Sequence, residues 1–115
     1  MKTKLGLVLI AAASLWATTA AAEDDKAVAR MWKSKCGSCH GADGKGATEK
    51  GKKMKIGDMT SADFKAKKDE DLKKAIREGV KLEKDGVKKE MDAFKAEDLK
   101  DEQVDALVAF MKGLK

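Results

Sequence analysis

The sequence contains no proline and no tyrosine, and its other aromatic residues are scarce. Phe and Trp together make up 4% of the 115 residues. A chain of this length has room for one domain, and so few large side chains leave the polypeptide short of material for its own core. The composition therefore predicts one small domain that needs a further component to stabilise it.

Cysteine and histidine are nearly absent as well. The chain has two cysteines and one histidine, and all three lie in the stretch Cys36-Gly37-Ser38-Cys39-His40. A zinc site needs four ligands, which this set supplies poorly. A thioredoxin-like dithiol belongs near a βαβ pattern, whereas the flanking segments here have a charged, helical pattern. The spacing instead indicates covalent haem attachment, with thioether bonds from Cys36 and Cys39 and an iron bond from His40.

The first 22 residues have the pattern of a secretory signal peptide. Two lysines precede a long apolar run, and small residues follow with Ala20 and Ala22 in an A-x-A arrangement. A membrane-spanning helix is the alternative, but the apolar run is barely long enough and an acidic flank follows it. We therefore expect a leader at 1–22 and a domain at 23–115 that is exported to the periplasm, with no membrane span in the mature form.

The charge of the chain gives little support for a nucleic-acid partner. The leader carries two lysines and no acidic residue, so its removal lowers the formal net charge from +5 to about +3. Basic and acidic residues alternate along most of the chain, which is typical of a solvated helical surface. One stretch, at 45–55, is locally basic.

Hydrophobic periodicity predicts helices and no strands. Five glycines between 41 and 57 indicate a loop, and the polar stretch at 81–90 has no strand pattern. The predicted helices are at about 25–36, from Asp69 to about Gly79, and at about 101–114, with a short one after a capping box at 60–63. The predicted fold class is therefore all-α.

These features resemble a monohaem class I cytochrome c of the small bacterial type. The resemblance covers about residues 27–114 and depends on the Cys36–His40 motif with Gly41 after it, on Trp32, on the segment 91–94 and on the closing helix. It implies the class I cytochrome c fold, in which three to four main helices wrap around one covalently bound haem c. It also implies that Trp32 lies where the first and last helices cross.

The resemblance selects Met91 as the distal axial ligand of the iron, opposite His40. No second histidine is present, so the residue types leave methionine, lysine or no ligand on that side. Met91 matches the family's ligand loop, and Met59 is the second choice. Asp92 stands where the family usually has proline, which removes a fixed φ angle and leaves an N–H to be satisfied. We therefore expect a looser loop, in which Lys88 or Lys89 replaces Met91 at alkaline pH.

The expected function is electron transfer and not enzyme catalysis. With His40 and Met91 both bound, the iron has no vacant position and only cycles between Fe(III) and Fe(II). The alternative is a haem enzyme or gas-binding sensor with an open or labile sixth position. The expected partners are redox proteins that dock transiently at the haem edge, and we expect a monomer that binds no nucleic acid.

Overall fold

The computed structural model describes the backbone of residues 20–115 and the side chains of residues 25–115. The apolar run of the predicted leader lies outside the described residues. The described chain is mostly helical, and no helix in it is long and apolar enough to cross a membrane. Its elements are α1 (Ala20–Lys35), α2 (Gly37–His40), α3 (Glu49–Met54), α4 (Ala62–Lys65), α5 (Asp69–Glu78), β1 (Val80–Lys84), β2 (Val87–Met91) and α6 (Asp101–Gly113).

The core lies between α1, α5 and α6, the three longest helices. α6 contacts both α1 and α5. Trp32 of α1 is 1% exposed, and its ring centroid lies 5.6 Å from that of Phe110 on α6. This places an aromatic residue at the contact of the first and last helices, as the resemblance implied. The other buried apolar side chains are Met59, Leu72, Ile76, Leu99, Val104, Leu107, Val108 and Met111.

The ends of the helices follow the signals in the sequence. α5 begins with three acidic residues, which favour a helix N-terminus, and ends before Gly79, whose φ angle is +75°. The short helix predicted after 60–63 is present as α4, but its N-cap is Ser61 and not Thr60 of the predicted capping box; the Ser61 hydroxyl accepts a hydrogen bond from the Phe64 N–H at 3.2 Å. α1 begins at Ala20, earlier than predicted, and α6 ends at Gly113.

Three elements, one helix and two strands, occupy stretches for which the sequence predicted irregular chain. α3 lies in the glycine-rich stretch, between its N-cap Thr48 and Lys55, which has a left-handed φ angle of 48°. β1 and β2 form an antiparallel hairpin across Asp85 and Gly86, which both have positive φ angles. Such angles are those of a type I′ turn. The predicted helical fold is confirmed. The small two-stranded sheet is a feature that the sequence did not predict.

Candidate functional site

The residues of the Cys36–His40 motif form one helical turn that continues α1. The Cys36 N–H donates to the Trp32 carbonyl at 2.8 Å, and the His40 N–H donates to the Cys36 carbonyl at 3.0 Å. Residues three and four apart lie on one face of a helix. Cys36, Cys39 and His40 therefore share one side of the turn, as covalent attachment of a single group requires.

The His40 ring lies against Trp32, with the ring centroids 5.8 Å apart. The Trp32 indole N–H donates at 3.0 Å to the carbonyl of Gly41, the residue after the histidine. Burial lowers the pKa of His40, so its imidazole is neutral at neutral pH. The Nδ1 atom is buried and has no hydrogen-bond partner in the described part of the chain. A neutral imidazole is the form of histidine that binds metals.

Two adjoining pockets open from this turn. One has a volume of about 150 Å³ and is lined mainly by apolar core side chains. The other has a volume of about 400 Å³ and a more polar lining, with Lys35, Lys50 and Asp92 among its residues. Both pockets are lined by Cys36, His40, Met91 and Phe94. A group held at the turn would therefore have one part in the core and another at a charged surface.

Met91 reaches both pockets from the last position of β2. It is half-buried and pairs with Val80, the first residue of β1. Met59 is 7% exposed and, of these two pockets, lines the apolar one. The structure thus brings both methionines to the pocket that contains His40. Met91 resembles Cys36 and His40 in lining both pockets.

The Cys36 side chain does not have the environment of a reactive redox thiol. Cys36 and Cys39 are half-buried and are not joined by a disulfide. Burial raises the pKa of the Cys36 thiol to about 11, although the neighbouring charge of Lys35 acts in the opposite direction. The thiol is therefore protonated at neutral pH, whereas dithiol exchange needs a thiolate. Across residues 25–115 no cluster of three or more His, Cys, Asp or Glu side chains is placed to hold a metal ion.

Thr48 and Gly51 support the motif turn from the side of α3, and sequence reasoning did not single them out. The Thr48 hydroxyl donates to the Cys39 carbonyl at 2.5 Å and accepts from the Gly51 N–H at 2.9 Å. A Cβ atom on Gly51 would lie 2.7 Å from the Cys39 carbonyl oxygen, so only glycine allows this approach. The available signal was a threonine N-cap followed by Glu49, within a stretch whose glycines indicated a loop.

These residues fit a covalently attached haem. Two thiols on one helical face and an adjacent neutral imidazole match the attachment motif. The apolar pocket beside them offers a surface for a macrocycle, and Met91 offers a thioether at that pocket. The outer pocket provides polar and charged groups for the part of the group that is not buried.

Comparisons with known proteins point to the same chemistry. A family model described as cytochrome c oxidase, cbb3-type, subunit III matches residues 23–111, which include the motif and Met91. Among solved structures, the c-type cytochrome KustC0563 is similar to this chain at 31% sequence identity, with a TM-score of 0.62. That similarity covers 76% of this chain and 95% of the other. Comparison with curated proteins finds no significant match.

Proposed function

Because this chain belongs to the c-type cytochrome family and carries one covalently bound haem c, we propose that it is a soluble periplasmic electron carrier. In this proposal Cys36 and Cys39 form the thioether bonds, and His40 and Met91 are the two axial ligands. The observation that carries the proposal is that Cys36, His40 and Met91 line the same two adjoining pockets. Members of this family are usually electron carriers and not enzymes, which agrees with that assignment.

The two axial ligands leave no position for a substrate. When bound, the haem supplies an iron that alternates between Fe(III) and Fe(II). Trp32 holds the His40 ring from one side, and the apolar side chains of the inner pocket keep water away from it. A thioether is a soft ligand that favours the reduced metal, and a dry surrounding shell adds to that preference. The residues therefore suit the exchange of an electron better than the binding of a reactant.

Redox partners would dock transiently where the outer pocket opens. Lys35 and Lys50 line it together with Glu90 and Asp92, so the surface carries charges of both signs. Complementary charges raise the rate of association between redox partners more than they raise affinity. Such contacts favour rapid docking and release, which a carrier needs, and we expect the protein to be a monomer.

Export is part of the proposal, because haem c domains are typically extracytoplasmic. We propose that residues 1–22 are a signal peptide that is cleaved after Ala22. The sequence of the mature N-terminus tests this directly. It should begin at Glu23, and retention of Lys2 and Lys4 in the exported protein would contradict cleavage.

Substitution of Met91 and Met59, the first and second choices for the distal ligand, tests the axial ligation. Ferric iron bound to a thioether gives a weak far-red absorption band, which we expect in the oxidised protein. Met91→Ala should abolish the band, whereas Met59→Leu, which alters another thioether lining the inner pocket, should retain it. The opposite pattern would make Met59 the ligand. Carbon monoxide binding to the reduced, unsubstituted protein at neutral pH would instead favour a haem enzyme or gas sensor.

A further inference from the structure

The segment that follows Met91 is anchored to the last turn of α5. The Phe94 N–H donates to the Ile76 carbonyl at 2.8 Å, and the Phe94 carbonyl accepts from Nη1 of Arg77 at 3.3 Å. Two adjacent residues of α5, Ile76 and Arg77, therefore bind the backbone N–H and the backbone carbonyl of Phe94. Phe94 lies three positions after Met91 and lines both pockets with it.

Arg77 connects this segment to α6 as well. Its Nη1 atom also donates to the Leu99 carbonyl at 2.5 Å, and its Nη2 atom pairs with the Asp101 carboxylate at 2.5 Å. The Arg77 side chain is 24% exposed, so its bonds to the Phe94 and Leu99 carbonyls are partly shielded from water, whereas the Asp101 carboxylate is 95% exposed. A planar guanidinium presents several donors in a fixed arrangement, whereas a lysine ammonium is a single point of charge. One side chain thus ties both ends of the irregular segment between β2 and α6.

Close backbone contact at Gly79 completes this anchorage. A Cβ atom on Gly79 would lie 2.5 Å from the Met91 carbonyl oxygen and 2.9 Å from the Ala93 nitrogen. The end of α5 therefore touches the chain on the C-terminal side of Met91 at a distance that excludes other side chains. Asp92 lies between the two residues that Gly79 approaches. It is the position at which the family usually has a proline that fixes the backbone.

We propose that Arg77 is a positioning residue that keeps Met91 at the iron, a role that rests on the proposed axial ligation by Met91. Without a proline after Met91, the backbone conformation depends on bonds from neighbouring elements. Arg77 supplies them at Phe94, Leu99 and Asp101, and the methionine side chain is thereby held in the pocket.

The test compares Arg77→Gln with Lys73→Gln in the exported, haem-bearing protein. Lys73 also joins α5 to α6, through an ion pair with Asp105 at 2.7 Å, but its described contacts do not include the segment after Met91. The far-red band reports the methionine bond to ferric iron, and far-ultraviolet circular dichroism reports the helices. Both signals are followed in the same urea titration. Hydrogen exchange of the Phe94 amide reports the anchorage itself.

In Arg77→Gln we expect the far-red band to disappear at a lower urea concentration than the helical signal. We expect exchange of the Phe94 amide to accelerate by roughly tenfold to a hundredfold, as loss of a partly buried hydrogen-bond donor implies. In Lys73→Gln the two signals should shift together. Arg77→Lys retains the charge and stays closer to the native structure, so it should give a smaller separation of the same sign even where Arg77→Gln fails to mature.

The outcomes separate this proposal from the ligation on which it rests. If Met91→Ala loses the band but both Arg77 variants behave like Lys73→Gln, the ligation stands and the role of Arg77 is overturned. Equal separation of the two signals in Lys73→Gln would also overturn it, because any link between α5 and α6 would then suffice. Absence of the band from the unsubstituted protein would overturn both proposals.

Discussion

At the scale of single residues, Trp32 connects the helix contact to the motif turn. Its ring centroid lies 5.6 Å from that of Phe110 and 5.8 Å from that of His40. Its indole N–H holds the carbonyl of Gly41, directly after the motif. One side chain therefore serves both the core and the orientation of the proximal histidine.

Replacing Trp32 with phenylalanine should separate the hydrogen bond from the aromatic packing. We expect Trp32→Phe to lower the free energy of unfolding by about 2–4 kcal/mol, because the Gly41 carbonyl loses its donor and a cavity remains. Urea unfolding of the haem-bearing protein measures this. Phe110→Leu trims an aromatic ring in the same contact without removing a hydrogen bond, and it should cost less. Equal losses in the two variants would contradict a role for the Gly41 bond.

Some site residues can be predicted from a short local motif, whereas others depend on contacts between distant parts of the chain. Cys36, Cys39 and His40 are recognised from five consecutive residues, so the chain itself carries their spacing. Arg77 has partners 17, 22 and 24 residues away, and no local pattern contains that information. Such a residue is found only when the fold has placed α5, the segment after β2 and α6 together.

At the scale of elements, the hairpin of β1 and β2 delivers Met91 to the pockets. Asp85-Gly86 is a strong hairpin signal, but the flanking residues are mostly charged and Leu82 is 47% exposed. The alternation of apolar and polar residues that identifies a strand is therefore weak here. For the same reason the sequence predicted the position of Met91 through the resemblance, and not through the element that carries it.

Gly86 should be needed for its backbone conformation alone. Its φ angle is +75°, and no atom lies within 4 Å of where a Cβ would be. We expect Gly86→Ala to destabilise the protein by about 1–2 kcal/mol, the cost of a left-handed conformation for an L-residue. Gly113→Ala, at the end of α6 with similarly open space, should instead stabilise it by up to about 1 kcal/mol. Urea unfolding of both variants measures this, and a change of the same sign in both would contradict the assignment.

Besides the pair of Arg77 with Asp101, two further ion pairs link α5 to α6. Asp69 accepts from Lys112 at 2.5 Å, and Lys73 pairs with Asp105 at 2.7 Å. The hydrogen bond from Lys112, with its charge, lowers the pKa of Asp69 below its usual value. Because the folded state prefers the ionised carboxylate, the stabilisation is present above the unfolded pKa and is lost as the pH falls through the folded pKa.

Asp69→Asn should therefore have a pH-dependent effect. We expect the variant to be slightly less stable than the unsubstituted protein at about pH 7, and the difference to narrow steadily below about pH 4. Urea unfolding at a series of pH values measures this difference. Asp71→Asn is the control, because Asp71 lies in the same first turn of α5 but makes no ion pair within the described residues. A difference that widens in acid would contradict a stabilising role for the ionised Asp69 carboxylate.

At the scale of the whole molecule, the side chains of the polypeptide form only part of the hydrophobic core. The buried side chains converge on an apolar pocket that begins at the motif turn, and the scarcity of aromatic residues leaves that space to another group. The helical fold was predictable because periodicity and helix ends agree along α5 and α6. The contact of α3 with the turn was not, because it depends on a glycine whose role is visible only from its neighbours.

Peptide mass mapping of the exported protein tests the central assignment most directly. Trypsin cleaves after Lys35 and Lys45, which releases residues 36–45 with both cysteines and the histidine. We expect this peptide to carry the mass of one haem through two thioether bonds and to absorb visible light. Recovery of the same peptide at its bare mass, with two free thiols, from a host that matures c-type cytochromes would contradict the account.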